Sequence, residues 1–241
     1  MQKFINWVKS IPWYVWCYGV FFFALQYGLY LLANVIAKGI GTFDHAFLPK
    51  IDVIDNHIPL VPVFIIPYVL SYPFWILAPI VAYSSGREKY GNYLVGLLIA
   101  YFIGFLLFIF VPSYMDREAE GLYEAVSGRD PFKFMLRTIY NNDGGTIAYN
   151  LFPSYHCLIS TYAYLSVCRK KTVNKYVRLA FLLLAISIVL STVFTKQHYI
   201  IDSIVGVSIS VICYLVVGLI NPGKKIAEYH DKRAAKKATA K

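Results

Sequence analysis

Two short polar stretches hold residue types able to do phosphoryl chemistry. One is Pro153-Ser154-Tyr155-His156, the other Thr195-Lys196-Gln197-His198-Tyr199-Ile200-Ile201-Asp202. Both sit at the edges of apolar runs, where ionisable side chains are costly and mark function. His198 and Asp202 are four residues apart, so on a helix they share a face. The carboxylate can then accept a hydrogen bond from one imidazole nitrogen, which fixes the tautomer and frees the other nitrogen as nucleophile or base. An isolated pair at this spacing also suits a buried histidine satisfied by a local carboxylate. His156 changes the balance, because a second histidine can protonate a leaving alkoxide and later activate water. Ser154 follows Pro153 at a helix start. Its hydroxyl can cap that helix and still face an anion held at the free N–H groups there. Arg117 and Lys196 supply the positive charge that stabilises a phosphoryl group in transfer. Each has a plainer reading: a surface ion pair for Arg117 among Asp116, Glu118 and Glu120, and snorkelling at an interface for Lys196.

The elements that must position these residues are apolar. The chain has 241 residues, 58% hydrophobic and only 15% charged, with mean hydropathy +0.55. A soluble domain carries about 25% charged residues. Six apolar stretches, approximately 13–36, 61–83, 93–111, 155–168, 177–195 and 200–220, predict an all-α, polytopic bundle of six transmembrane helices. The fourth is short and is completed by Arg169 snorkelling to the interface, or begins earlier. The net charge of +10 does not point to nucleic acid, because the basic residues lie in short loops. With the amino terminus in the cytoplasm, segments 1–12, 84–92, 168–178 and 221–241 hold 16 of 23 Lys and Arg but 3 of 13 acidic residues. That asymmetry predicts both termini inside and the polar clusters outside.

Residues 1–12 read as an interfacial amphipathic segment, 13–220 as the six-span domain and 221–241 as a basic cytoplasmic tail near anionic headgroups or in solvent. The first span is an anchor, since its run is about 24 residues and lacks a small-x-small cleavage pattern. In the outer segment 112–153, the stretch 131–140 has helical periodicity and Gly144-Gly145 breaks it. This segment is a candidate lid, and Tyr123, Tyr140, Tyr149 and Tyr155 are candidates for its entrance or for an interfacial belt. Cys17, Cys157, Cys168 and Cys213 show no metal-ligand spacing and read as core or lipid-facing thiols.

These residues resemble the type 2 phosphatidic acid phosphatase superfamily, the lipid phosphate phosphatases. Its pattern is K-x6-R-P, then P-S-x-H, then S-R-x5-H-x3-D. Pro153-Ser154-Tyr155-His156 matches the second part, and Ser191 with His198-x3-Asp202 matches the third. The likeness spans about residues 55–220. Arg117 is followed by Glu118 instead of proline, Phe110 stands seven residues before it, and Thr192 follows Ser191. Lys196 is the candidate to replace that last lost charge. The run KQHYIID resembles the sphingolipid synthase subgroup, which moves a phospho-headgroup to another lipid.

The resemblance implies a lipid phosphate phosphatase acting at the outer face of a membrane, by our expectation a bacterial plasma membrane. His198, oriented by Asp202, is the nucleophile that forms a phosphohistidine. His156 is the acid and base. Arg117, Ser154 and Lys196 hold the phosphoryl oxygens. No metal or cofactor is implied, and the partners are a lipid phosphate and membrane lipids. A headgroup phosphotransferase of the same fold is the alternative. A proton-sensing transporter would show broken helices in two related halves, and no such repeat is present.

Overall fold

The computed structural model describes residues 6, 7, 9–169 and 171–239. Residues 1–5 and 8 of the expected interfacial segment, and 240 and 241 of the tail, lie outside that description. Eight principal helices follow in order: α1 (Trp13–Gly39), α2 (Ile65–Tyr83), α3 (Arg87–Phe110), α4 (Pro131–Asn142), α5 (Tyr155–Val167), α6 (Lys175–Phe194), α7 (Ile200–Ile220) and α8 (Pro222–Thr239). Strands β1 (Tyr114–Asp116) and β2 (Ile147–Tyr149) form one antiparallel pair with Tyr114 opposite Tyr149.

Among the described residues, five helices are long and apolar enough to cross a membrane: Trp13–Gly39, Pro62–Tyr83, Arg87–Phe110, Lys175–Phe194 and Ile200–Ile220. These long apolar helices fit an integral membrane protein. Their outward faces carry large apolar side chains such as Phe102, Leu183 and Leu215, each more than half exposed to the surroundings, as lipid contact requires. Pro73 and Pro79 lie inside α2, an arrangement that neighbouring helices make tolerable in such bundles.

The fourth expected span differs. Helix α5 has 13 residues, about 20 Å of rise against about 30 Å of hydrocarbon. It is buried on nearly all sides, packed against α2, α3, α6 and α7. A helix jacketed by protein need not match the bilayer thickness, because its ends meet protein and not lipid.

The helices alternate in direction, which sorts their ends. The Tyr14 and Tyr83 rings stand 6.5 Å apart, and Asn221 donates to Glu88 Oε1 at 2.8 Å. The start of α1, the end of α2, the start of α3 and the end of α7 therefore share one end of the bundle. The start of α5 and the start of α7 lie at the other. Helix α8 docks on the start of α3, with Gly223 N donating to Asn92 Oδ1 at 2.7 Å.

At the second end a cap covers the bundle. It has its own apolar core of Ile65, Met115, Leu122, Leu136, Tyr140 and Leu151. The expected helix over 131–140 is α4, begun by Asp130, whose side chain accepts from Lys133 N at 2.9 Å. The expected break follows it, with Gly144 and Gly145 at φ +86° and +69°.

Helix α5 meets α7 almost backbone to backbone. Ser154 N donates to the Asp202 carbonyl at 3.0 Å, and a Cβ on Gly206 would lie 2.5 Å from the Ser154 carbonyl oxygen. Gly206→Ala must push the start of α5 away from α7, at a cost of about 1–3 kcal/mol. The expected result is a lowered thermal midpoint together with at least a tenfold loss of turnover, about one unit of log rate per 1.4 kcal/mol. An unchanged midpoint would show that the two helices can part freely.

Candidate active site

Helices α5 and α7 deliver both histidines to one cavity. Ser154 caps α5, accepting at long range from Cys157 N at 3.4 Å, so His156 falls in the first turn. The turn between α6 and α7 projects His198 toward it. Lys196 takes φ +52° there, while Gln197 N and His198 N both donate to the Thr192 carbonyl at 3.0 Å. The imidazole centroids are 6.2 Å apart.

His198 Nδ1 approaches Asp202 Oδ2 to 3.4 Å. The contact brings the groups together without completing a hydrogen bond, since Nδ1 and Asp202 Oδ1 both lack a partner with hydrogen-bond geometry. Catalytic hydrogen bonds are often long before substrate arrives. Asp202 is itself fixed, its Oδ2 accepting from Tyr199 N at 3.0 Å. With Nδ1 turned to the carboxylate, Nε2 is the nitrogen free to react.

His156 lies in an aromatic box built by one face of α2. Its ring stacks on Tyr68 at 4.1 Å and meets Trp75 at 4.9 Å and Tyr72 at 5.8 Å. Its Nε2 is enclosed and has no partner. The spacing of Tyr68, Tyr72 and Trp75 is i, i+4, i+7, so a single helical stripe orients the ring. Sequence reading passed over this stripe because it looks like ordinary core.

The cavity containing both histidines has a volume of about 460 Å³ and is walled by α1, α2, the end of α3, the end of α4 and β2. Tyr149 and Tyr155 line it, as two of the four tyrosines singled out from sequence; Tyr140 is instead fully buried, and Tyr123 donates to Asn141. Among the described residues, no lysine or arginine lines it.

Arg117 is not on the surface. It is fully buried, with Nη1 donating to the carbonyls of Tyr140 (2.9 Å), Asp143 (2.7 Å) and Gly145 (3.0 Å). Its Nη2 donates to Asp143 Oδ2 (3.0 Å) and Gln197 Oε1 (2.9 Å), leaving only Nε without a partner. The guanidinium thus gathers carbonyls at and just beyond the end of α4 and ties that helix to the residue before His198. Lys196 also points away from the cavity. Its Nζ donates to the Asp55 carbonyl at 2.8 Å, and partial burial lowers its pKa against the pull of Asp55 and Glu120. At two of the three departures from the family pattern, Phe110 is exposed on the outside of α3, and Thr192 is buried against Ser203 at 3.0 Å.

Asp55 was not signalled by sequence. It sits in the single turn Asp52–Asp55, buried, and holds the catalytic turn on both sides of His198. Its carbonyl accepts from Lys196, and its Oδ1 accepts from Ile200 N at 2.9 Å. Only a contact between loops more than 140 residues apart reveals this role.

Two substitutions separate these roles. Arg117→Lys replaces a planar fork with a point charge and leaves several buried acceptors unmet, a loss of about 3–5 kcal/mol. We expect a large drop in thermal midpoint, and a wild-type midpoint would show that the clamp is dispensable. Asp55→Ala frees Ile200 N and the catalytic turn. It should lower kcat by about tenfold or more with KM little changed, as expected for lost positioning of a reacting group. A KM-only effect would place Asp55 in substrate binding instead.

Comparison with known proteins bears on this arrangement. No curated protein and no solved structure matches the chain. The sequence model of the PAP2 superfamily matches residues 43–216, a stretch that includes both histidines, Asp202, Ser154 and Arg117. The chain therefore belongs to the PAP2 superfamily, whose members generally hydrolyse phosphate esters without a metal.

Proposed function

We propose that this membrane phosphatase-type enzyme cleaves the P–O bond of a lipid phosphate ester through a phosphohistidine on His198. The observation that carries the reading is the pair of histidines facing one cavity, with one of them backed by Asp202. In the first step His198 Nε2 attacks phosphorus, forming a P–N bond while the P–O bond to the lipid breaks. Protonated His156 gives its proton to the departing alkoxide. In the second step neutral His156 takes a proton from the incoming hydroxyl, whose oxygen displaces the histidine. Ser154 and the free N–H groups of the first turn of α5 stabilise the phosphoryl oxygens. The lipid reaches the site sideways, past Tyr27 and Leu31 of α1, both cavity-lining and about half exposed.

In this reading α5 is the fourth of six crossings, both termini are cytoplasmic and the histidines face the outside of a bacterial plasma membrane. The basic bias of the loops at the opposite end supports that orientation.

The incoming hydroxyl belongs to water or to a lipid alcohol. A phosphomonoesterase must hold a dianion, and a pyrophosphatase more charge still. The absence of lysine and arginine from the cavity wall, and the engagement of Arg117 and Lys196 elsewhere, favour the second reading, a lipid headgroup phosphotransferase that handles a monoanionic diester.

The test uses detergent-purified protein with EDTA present. Phosphate release is followed from phosphatidic acid, phosphatidylglycerol phosphate, undecaprenyl pyrophosphate and sphingosine phosphate, and transfer of a labelled headgroup between lipids is followed in parallel. His198→Ala should abolish turnover. His156→Ala should lower it by about 100-fold or more, the usual reach of general acid–base catalysis. Near-normal activity in His198→Ala would rule out the covalent route. Phosphate release without headgroup transfer would favour hydrolysis.

A further inference from the structure

A second cavity lies at the end of the bundle away from the histidines, and helix lengths create it. Helices α3 and α7 have 24 and 21 residues, while α5, packed against both, has 13. Beside the end of α5, the start of α3 and the end of α7 enclose about 410 Å³, within the ~300–1,000 Å³ typical of ligand sites. Ser166 closes the space on the α5 side. Leu215 and Leu219 of α7 line it and are more than half exposed, so it opens sideways, where lipid tails lie.

Part of its polar surface is unused by the protein. Tyr93 and Tyr162 line the cavity and are only 4% and 1% exposed, yet neither hydroxyl has a hydrogen-bond partner among the described residues. A buried hydroxyl left unmet is costly, so the pair marks a place for a ligand oxygen. Gly96 makes room for the Tyr162 hydroxyl, with which any Cβ there would collide. Lys89 is the charged residue of the lining, exposed and without an ion pair among the described residues. Its neighbour Glu88 is engaged by Asn221. Arg169, just past α5, is exposed and likewise unpaired, and lies within electrostatic reach of the Tyr214 hydroxyl on the cavity wall. An apolar slot open to lipid thus carries unmatched positive charge at its mouth and free hydroxyls along its wall.

We infer that this cavity is a binding site for an anionic phospholipid of the leaflet opposite the catalytic cavity. The lipid phosphate pairs with Lys89 and Arg169, its ester oxygens meet the Tyr93 and Tyr162 hydroxyls, and an acyl chain fills the space left by the short α5. The histidines take no part, so the inference stands apart from the reaction proposed above. The occupant completes the packing of α5 and α7 at the ends away from His156 and Asp202, and stabilises the folded chain by linkage.

The full chain in detergent is titrated with dioleoyl phosphatidylglycerol and with dioleoyl phosphatidylcholine. Bound lipid is counted by native mass spectrometry, and the thermal midpoint is followed in parallel. Phosphatidylglycerol should bind about fivefold tighter or more, the attraction of one or more basic side chains, and should raise the midpoint. Lys89→Gln combined with Arg169→Gln should remove that preference. Gly218→Trp should remove the tight binding itself. Gly218 lines the cavity and a Cβ there meets nothing within 4 Å, so the indole can fill the space without moving backbone. Tyr162→Phe should weaken phosphatidylglycerol by about fivefold and leave the lipid-free midpoint unchanged, because no bond to protein is lost. Equal affinity for the two lipids would overturn the inference. So would a preference that survives Gly218→Trp, which would assign it to the exposed Lys224 and Lys225 of α8 or to the catalytic cavity. A lowered lipid-free midpoint in Tyr162→Phe would also count against it, since the hydroxyl would then serve the fold.

Discussion

A guanidinium sealed from solvent governs the capped end of this protein. Burying Arg117 is tolerable only because acceptors converge on it from the end of α4, from the Gly144-Gly145 turn, from Asp143 and from Gln197. Those acceptors belong to segments that would otherwise be independent loops. The cost of an unpaired buried charge makes them move as one body. The cap is thereby joined to the residue preceding His198.

The same interaction sets the electrostatics of the cavity. In a phosphoryl-transfer site an arginine is expected to face the substrate. Here its Nη groups are consumed by protein acceptors, and the carboxylate that pairs with it is the partner that lines the cavity. Lys196 is held by Asp55 in the same way, as an anchor for the catalytic turn. Both cations belong to the framework of the site, and the cavity itself is lined largely by aromatic side chains.

The placing of the two histidines depends on a different constraint. His156 and His198 are brought within reach because α5 and α7 touch through backbone at Gly206, where no side chain intervenes. Helix α5 is short and enclosed, so its first turn is positioned by protein contacts instead of by an interface with lipid. The surroundings of each imidazole are then local: Asp202, in the first turn of α7, approaches His198 from the turn's far side, and the α2 stripe packs on His156.

Sequence alone determined the long apolar helices, the break after α4 and the pairing of His198 with Asp202, because hydropathy, glycine punctuation and i, i+4 spacing are properties of short segments. Alternation of helices with odd loop charge also implied that the polar clusters gather at one end. What only the tertiary structure decided was where the cations point. An arginine among acidic neighbours looks the same on a surface, in a binding site or in a buried clamp, and its acceptors here are mostly backbone carbonyls, which carry no sequence signature. Asp55 was silent for a related reason, since its partners are backbone N–H groups and a lysine far along the chain. The shortness of α5 was legible, but its surroundings were not, because an apolar stretch gives no sign of whether lipid or protein will surround it.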